Sequence, residues 1–205
     1  MRNMLLIVAA ALLVVPAYAE TVEYGWECGG TILGSYNDIE AYNVGDPDPV
    51  HSGSYSLKLI DQEENGTPQA YVAWIVGLTD GDEVTASFWR YDDTPGASPS
   101  GRIWGHYTAV GGTIDDYAGS AGGNDDYGPG EGWDETGWTW VFDSNGGERD
   151  GLVVEVRTYS NPGDTVWVDD LTVTAPDGVT IFVPEDEYPS PVDNSTWSAV
   201  KALFR

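Results

Sequence analysis

Alternation of apolar and polar residues runs through most of the chain and predicts β-strands rather than helices. The alternating segments are rich in Val, Ile, Thr, Tyr and Trp, and Gly, Asn, Asp or Pro separate them, as is typical of strands and turns. Seven strands are predicted, at residues 54–60, 70–76, 82–91, 101–110, 137–143, 151–160 and 164–173. This pattern indicates an all-β fold, an antiparallel jelly-roll β-sandwich occupying residues 20–183.

Two stretches interrupt this alternation. Residues 111–137 are rich in glycine and acids and offer little to bury, so we predict a long loop there. Residues 143–151, "DSNGGERDG", have a weak likeness to a calcium-binding EF-hand loop. That motif would need Gly in place of Glu148 and Glu in place of Val154. We therefore predict a hairpin turn at 143–151.

The N-terminal residues 1–19 have the pattern of a signal peptide. Arg2 gives a positive start, an apolar run from Met4 to Ala17 follows, and Ala17-Tyr18-Ala19 fits a cleavage site. A short membrane anchor is the alternative, but the run is short for a span. We predict a secreted protein, extracellular or on the cell surface, with no membrane insertion after cleavage.

The C-terminal residues 184–205 are predicted to be an acidic, Pro-rich linker followed by a short amphipathic helical tail. In "STWSAVKALFR" the apolar residues recur at helical spacing, at Trp197, Val200, Leu203 and Phe204. This ending is similar to short tails of exported proteins of some bacteria. Two interpretations stay open: the tail is read by an export or surface partner, or it docks on the flank of its own domain.

The chain is strongly acidic, with 34 Asp and Glu against 8 Lys and Arg and a net charge of −26. Such a charge repels phosphate backbones and anionic lipid, so nucleic acid is not an expected partner. It favours divalent cations, although a saline habitat would select the same composition. Cys28 is the one cysteine, so no internal disulfide forms, and we expect it to be a small buried residue.

Four motifs occur in a characteristic order along residues 21–175. They are "GWECGG" with Glu27, "PVHSGSYSLKL" at 49–59, "YVAWIVGLTDGDEVTASFWRYD" at 71–92, and "VDDL" at 168–171. Together they resemble the galactose-binding-like jelly-roll domains, in particular carbohydrate-binding modules of the family 4/9/22 type. The resemblance implies a jelly-roll β-sandwich that binds a polysaccharide or another glycan.

The resemblance also implies a structural Ca²⁺ ion, held by Glu27, by Asp169 and by the backbone from His51 to Ser54. Calcium takes six to eight oxygen ligands and accepts such a mixture. Strict alternation places Asp169 with Trp167 and Leu171 on one face of the last strand. Asp170 would face the other way. We predict Asp169 as the ligand; the alternative is that both aspartates are solvated at an exposed edge.

A ligand-binding groove is predicted from strand parity. Sugars present flat apolar faces and hydroxyl groups, so their sites combine aromatic rings with planar polar side chains. Residues of this kind are predicted on outward-facing positions at Trp89, Tyr91, Arg102, Trp104, Glu155 and Arg157. The segment 111–137, with Tyr117, Tyr127 and Trp133, is a second candidate. Packing within the sandwich is the simpler explanation for any single aromatic residue.

Catalytic signatures are absent from the sequence. Its two histidines, His51 and His106, have no metal-binding spacing, and none of the common nucleophile or phosphate-loop motifs occurs. The sequence therefore favours a secreted, non-catalytic protein that binds a neutral or cationic glycan and is stabilised by calcium. The alternative is a structural or adhesive cell-surface protein that binds other proteins.

The signal-peptide assignment makes a direct prediction. The secreted protein should begin at Glu20, because Ala17 and Ala19 provide the small residues that signal peptidase requires. Intact-mass measurement should show the loss of residues 1–19. Retention of these residues in the exported protein would support the membrane-anchor alternative.

Overall fold

The computed structural model describes residues 19–93, 101–128, 131–158 and 161–184. Within these ranges the chain forms β-strands, turns and irregular segments, and no helix. Consequently, no helix in this part of the chain is long and apolar enough to cross a membrane. The predicted signal peptide, apart from Ala19, and the predicted C-terminal tail lie outside the described residues.

Twelve strands make up the described part of the chain. The first six are β1 (Ala19–Tyr24), β2 (Gly34–Tyr36), β3 (Ile39–Gly45), β4 (Tyr55–Asp61), β5 (Gln69–Val76) and β6 (Glu83–Asp92). The other six are β7 (Arg102–Ala109), β8 (Tyr117–Gly123), β9 (Gly132–Val141), β10 (Arg149–Arg157), β11 (Thr165–Pro176) and β12 (Thr180–Phe182). All seven predicted strands are present, as β4 to β7 and β9 to β11.

The strands form two antiparallel sheets of six strands each. The back sheet has the order β3-β4-β11-β6-β9, with β1 also paired to β11. The front sheet has the order β12-β5-β10-β7-β8, with β2 also paired to β5. The predicted all-β sandwich is thereby confirmed. Non-consecutive strands lie side by side in both sheets, so the fold depends on long-range pairing.

The hydrophobic core lies between the sheets and follows the alternation of the strands. In β6, Val84, Ala86 and Phe88 are fully buried, and in β10 the residues Leu152 to Val156 contribute three core side chains, Leu152, Val154 and Val156. Full burial of each such side chain contributes on the order of 1.5–3 kcal/mol. The residues between them point outward, which places the polar positions of both strands on the outer faces.

The structure corrects two connections. The predicted long loop at 111–137 is wrong, because β8 and the first half of β9 lie within it. Glycine-rich strands such as β8 lack the residues that favour strands, and pairing with β7 fixes them instead. The hairpin predicted at 143–151 is also wrong. This segment leads from β9 in the back sheet to β10 in the front sheet, and those strands do not pair.

A buried arginine closes one end of the core. Arg90 in β6 points inward and is 2% exposed. Its Nε and Nη2 donate to Asp134 Oδ2 at 3.1 and 2.8 Å, and its Nη1 donates to the carbonyl oxygens of Gly101 and Asp126 at 3.1 and 2.9 Å. A buried charge is tolerated only when it is paired in this way. One guanidinium thus joins β6 and β9 to the residue before β7 and to the segment after β8.

This network predicts a stability loss in Asp134→Asn. The substitution removes the carboxylate from a buried cation, and hydrogen bonds to charged groups contribute about 1.5–3 kcal/mol. We expect a loss near the lower end of this energy range, because the Asp134 side chain is 33% exposed and solvent partly screens its charge. Denaturant titration should show the lower free energy of unfolding. Glu135→Gln, an exposed neighbour that loses the same charge, should change it by less than about 0.5 kcal/mol; equal losses would contradict the assigned role.

Candidate functional site

The outer face of the front sheet carries polar and aromatic side chains in register. Across β5, β10, β7 and β8, one row is Tyr71, Glu155, Trp104 and Gly123. The neighbouring rows are Gln69-Arg157-Arg102 on one side and Trp74-Val153-His106-Ser120 on the other. The residues that alternate with these rows along the strands, such as Ile75, Val154 and Ile103, lie in the core. The rows therefore form a polar and aromatic layer on the outer side of this sheet, which we call the front face, and several of its members, including Tyr71, Glu155 and His106, are buried.

Trp104 lies at the centre of the front face and is half-buried. Its indole Nε1 donates to Ser120 Oγ at 2.9 Å. The guanidinium carbons of Arg102 and Arg157 lie 5.1 and 4.9 Å from its ring centroid. Cation–π contacts of this type hold an indole in one orientation. At Gly123 a Cβ would lie 2.6 Å from the Trp104 Cα, so glycine is required for β8 to approach so closely.

Arg102 is buried beneath an exposed rim. Its side chain is 7% exposed, and its Nε and Nη1 donate to the Asn124 carbonyl oxygen at 3.2 Å and to the Tyr127 hydroxyl at 3.0 Å. The Tyr127 ring also lies 4.6 Å from the guanidinium carbon. The carboxylate of Asp125 pairs with Nη2, although the Asp125 side chain is 88% exposed. Solvent thus reaches the counter-ion of a cation that is itself covered.

Glu155, the cross-strand partner of Trp104, forms the polar centre of the front face. It is fully buried and accepts hydrogen bonds from Arg157 Nε and from His106 Nδ1. The His106 ring packs against Tyr71 at 5.0 Å and Tyr117 at 5.5 Å between ring centroids. Burial, and secondarily the charge of Glu155, raises the pKa of the Tyr71 hydroxyl to about 12. Tyr71 therefore keeps its proton at physiological pH.

The front face has an open aromatic rim around this buried network. Tyr117 is 63% exposed and Tyr127 is 38% exposed. Flat rings beside guanidinium, carboxylate and hydroxyl groups suit a ligand with apolar faces and many hydroxyls. The rim comes from the segment predicted as a second binding candidate. The structure brings Tyr117 and Tyr127 to the front face, but it places Trp133 of that segment on the back sheet.

The predicted groove of six residues is divided between the two sheets. Arg102, Trp104, Glu155 and Arg157 lie together on the front face. Trp89 and Tyr91 belong to β6 in the back sheet and point outward from the opposite side of the sandwich. The prediction of one groove is therefore wrong. Parity correctly gave the outward face of each strand, but it does not tell which sheet a strand joins.

The aromatic residues of the back sheet cover one another. Tyr91 packs edge to face against Trp133 at 5.4 Å and Trp167 at 5.6 Å between centroids. The His51 ring stacks on Trp89 at 4.0 Å with an interplanar angle of 14°. Edge-to-face pairs stabilise a surface but use the ring faces that a ligand would need. The rings of Trp89, Tyr91, Trp133 and Trp167 are thus partly covered by neighbouring rings.

An acidic junction lies where β11 changes its neighbour. Residues Thr165–Val168 of β11 pair with β4, and residues from Leu171 onward pair with β1. Asp169 and Asp170 lie in the gap between these partners. Asp170 has a positive φ of 48°, and the pairing with β6 is shifted between Asp169 and Thr172. This bulge sends Leu171 into the core, which corrects the prediction that Leu171 shares the face of Asp169.

The segments predicted to hold calcium converge on this junction. Asp169 Oδ2 accepts hydrogen bonds from the backbone amides of His51 and Ser52, at 2.9 and 3.1 Å. Glu27 Oε1 accepts from the amides of Ser54 and Tyr55, at 2.7 and 3.0 Å. The structure therefore brings Glu27, His51, Ser54 and Asp169 into one place. The neighbouring Cys28 is exposed, contrary to the expected burial.

Asp170 has its own partners in the same loop. Its Oδ2 accepts from His51 Nδ1 at 2.6 Å, and its Oδ1 accepts from Ser52 Oγ at 2.6 Å. Both aspartates thus hold residues 51–52 against β11. The alternative that both are solvated at an exposed edge is wrong, because Asp169 is fully buried.

The charge balance of the junction bears on the predicted calcium ion. Burial raises the pKa of the Asp169 carboxyl, and the amide hydrogen bonds offset that rise only in part. The carboxylate oxygens of Glu27, Asp169 and Asp170 are of the type that Ca²⁺ prefers as ligands. However, no cluster of three or more His, Cys, Asp or Glu side chains in the described ranges is arranged to hold a metal. An ion here would need carbonyl oxygens of residues 51–54 in addition to the carboxylates.

Comparison with known proteins gives structural neighbours only. No protein-family model and no curated protein sequence matches the chain. Among solved structures, the tandem CBM22-1–CBM22-2 N-terminal domain of Paenibacillus barcinonensis Xyn10C is similar at a TM-score of 0.51 and 10% identity. The match covers 78% of this chain and 47% of the tandem.

The single domains of that protein are also similar. The CBM22-1 xylan-binding domain matches at a TM-score of 0.48 and 11% identity, over 78% of this chain and 97% of that domain. The CBM22-2 xylan-binding domain matches at 0.47 and 18% identity, over 75% and 98%. The resemblance to jelly-roll carbohydrate-binding modules is confirmed at the level of the fold.

Several front-face residues escaped the sequence prediction. Ser120 lies in the unpredicted strand β8, and Asp125 follows it in the chain. Tyr71 was treated as an ordinary strand residue. Its position opposite Glu155 could have indicated it, but only once β5 was known to pair with β10. The missed residues are thus those whose place depends on strand pairing rather than on local pattern.

Proposed function

We propose that this protein is a secreted, non-catalytic glycan-binding protein whose binding surface is the front face. The observation that carries this proposal is the half-buried Trp104, whose ring centroid lies 5.1 and 4.9 Å from the guanidinium carbons of Arg102 and Arg157 and whose cross-strand partner is the buried Glu155. A ring held in one orientation loses little entropy on contact with a sugar. The planar polar groups around it can hydrogen-bond to hydroxyls. Tyr117 and Tyr127 extend the aromatic surface along the rim.

The structural neighbours support glycan binding as the general function. Two of the similar domains are described as xylan-binding, and they share the jelly-roll architecture with this chain. Because these two domains are described as xylan-binding, a xylo-oligosaccharide is the first ligand to test. Their identity to this chain is too low to assign ligand-binding residues from them. A single shallow face should bind such an oligosaccharide weakly, with a dissociation constant on the order of micromolar to millimolar.

The proposed site predicts the effect of Trp104→Ala. Removal of the central ring should weaken binding of xylohexaose at least about tenfold, roughly 1.4 kcal/mol, in isothermal titration. Trp138→Ala removes an indole that is 41% exposed on the back sheet, and it should leave the affinity unchanged. Circular dichroism should show that both variants are folded.

A third variant, Trp89→Ala, separates the two faces. Binding retained in Trp89→Ala and lost in Trp104→Ala places the ligand on the front face. The reverse result would move the site to the back sheet and overturn the proposal. Absence of binding in the unmodified protein, across neutral and acidic glycans, would favour the structural or adhesive alternative.

We also propose that Ca²⁺ stabilises the acidic junction, with Glu27 and Asp169 as side-chain ligands and oxygen atoms of residues 51–54 completing its shell. The support is electrostatic. Glu27, Asp169 and Asp170 meet there, and His51 is the one basic side chain bonded to them among the described residues. The ion would offset the repulsion between these carboxylates and tie the loop after β3 to β11.

Calcium removal provides the test of this second proposal. A ligand that binds only the folded state stabilises it by about 3–4 kcal/mol at a large excess over its dissociation constant. Chelation should lower the melting temperature of the protein, and added Ca²⁺ should restore it. Asp169→Asn should abolish this response. Melting curves that do not change on chelation would show that the amide hydrogen bonds suffice, and a response lost only in Asp170→Asn would assign the other aspartate.

A further inference from the structure

Two arginines lie side by side on the front face of an otherwise acidic protein. The chain carries a net charge of −26 with 8 Lys and Arg. In the described ranges these cations are Lys58, Arg90, Arg102, Arg149 and Arg157. Two of the five, Arg102 and Arg157, lie directly opposite each other on β7 and β10. Like charges in opposite positions of a sheet destabilise it, and here each arginine is paired with a carboxylate that offsets this repulsion.

The two arginines have counter-ions of very different accessibility. Arg157 pairs with Glu155, which is fully buried and cannot be exchanged for a ligand group. Arg102 pairs with Asp125, whose side chain is 88% exposed. Only the Asp125 side of this pair is exposed, because the side chain of Arg102 is 7% exposed. A ligand carboxylate that takes the place of Asp125 keeps the covered guanidinium paired, so the exchange leaves no buried charge without a counter-ion.

We propose that Arg102 is a recognition site for the carboxylate of a uronic acid residue on the bound glycan. This inference rests on the proposed function of the front face and names the class of glycan. The guanidinium of Arg102 is held by Asn124 and Tyr127, which fixes its orientation before the ligand binds. Guanidinium and carboxylate form short, charge-assisted hydrogen bonds with matching geometry. The neighbouring Trp104 would support the sugar ring that carries the acid.

The charge of the whole protein restricts the ligand further. A densely charged polyuronate would be repelled by the net negative charge, because the field of the protein acts beyond the site. A neutral backbone with isolated uronic acid branches avoids that repulsion and still offers one carboxylate to Arg102. This specificity differs from the neutral or cationic glycan that the overall charge alone predicts. The local pair of arginines gives the reason for the difference.

Three matched oligosaccharides test the inference. They are a linear xylo-oligosaccharide, the same chain with one glucuronic acid branch, and the branched chain after reduction of its carboxyl to an alcohol. We expect the acidic chain to bind about tenfold more tightly than its reduced form at low salt. The advantage should shrink as salt is raised, because the ion pair is screened. Equal affinity for acidic and reduced chains would overturn the inference while leaving the proposed function intact.

Two variants connect the effect to Arg102. Asp125→Asn removes the exposed competitor, and we expect it to increase affinity for the acidic chain about threefold without changing affinity for the reduced one. Glu135→Gln removes one acid from the back sheet and should change neither. Arg102→Gln should abolish the preference for the acidic chain. If that variant does not fold, the Asp125→Asn result still decides: unchanged or weaker binding of the acidic chain contradicts the inference.

Two further outcomes complete the test. Failure of all three oligosaccharides to bind would overturn this inference, whereas the proposed function fails only if the protein binds none of the wider set of neutral and acidic glycans. Tighter binding of a polygalacturonate fragment than of the singly branched chain would overturn the preference for isolated acids.

Discussion

The folded state depends on how β11 is held, because this strand contacts three others at its edges. β6 pairs along one side, while β4 and then β1 pair along the other. A strand that changes neighbours leaves backbone groups without a partner at the change, and buried amides need one. Here the carboxylates of Asp169 and Glu27 accept hydrogen bonds from amides of residues 51–55. The aspartate pair thus ties residues 51–52 to β11 where its partner changes, and Glu27, which follows β1, binds Ser54 and the first residue of β4 in the same region.

The same interaction explains why a polar dipeptide occurs in an apolar strand. A regular strand would place Leu171 on the face of Asp169 and lose its burial. The bulge at Asp170 restores burial of Leu171 and Val173, while it keeps both carboxylates near the loop. Aspartate tolerates the left-handed backbone conformation better than most residues. The two aspartates in this apolar strand therefore have two physical reasons. Asp170 adopts the backbone conformation of the bulge, and both carboxylates accept hydrogen bonds from the loop.

Local pattern predicted a large part of the fold and a smaller part of the site. Alternation correctly indicated the inward residues of β6 and β10, because that property depends only on the strand itself. The division of Trp89 and Trp104 between two sheets was not predictable in this way, since sheet membership is decided by partners far along the chain. β8 was missed because its glycines carry no strand preference. Its role is to let Trp104 lie close to the neighbouring backbone, where a larger residue would collide.

The two outer faces of the sandwich use aromatic residues for different physical ends. On the back sheet, Trp167, Tyr91 and Trp133 fill one another's faces, so their apolar area stabilises the domain. On the front face, the ring of Trp104 contacts the guanidinium groups of Arg102 and Arg157. The surroundings of this indole are therefore polar. Cations in turn require counter-ions, and the fold supplies one that is buried and one that is exposed. Glu155 compensates the charge of Arg157 from inside the sheet, whereas Asp125 compensates Arg102, which is itself 7% exposed, from the solvent side. The two arginines therefore differ in the burial of their counter-ions, and the proposed exchange of Asp125 for a ligand carboxylate depends on that difference.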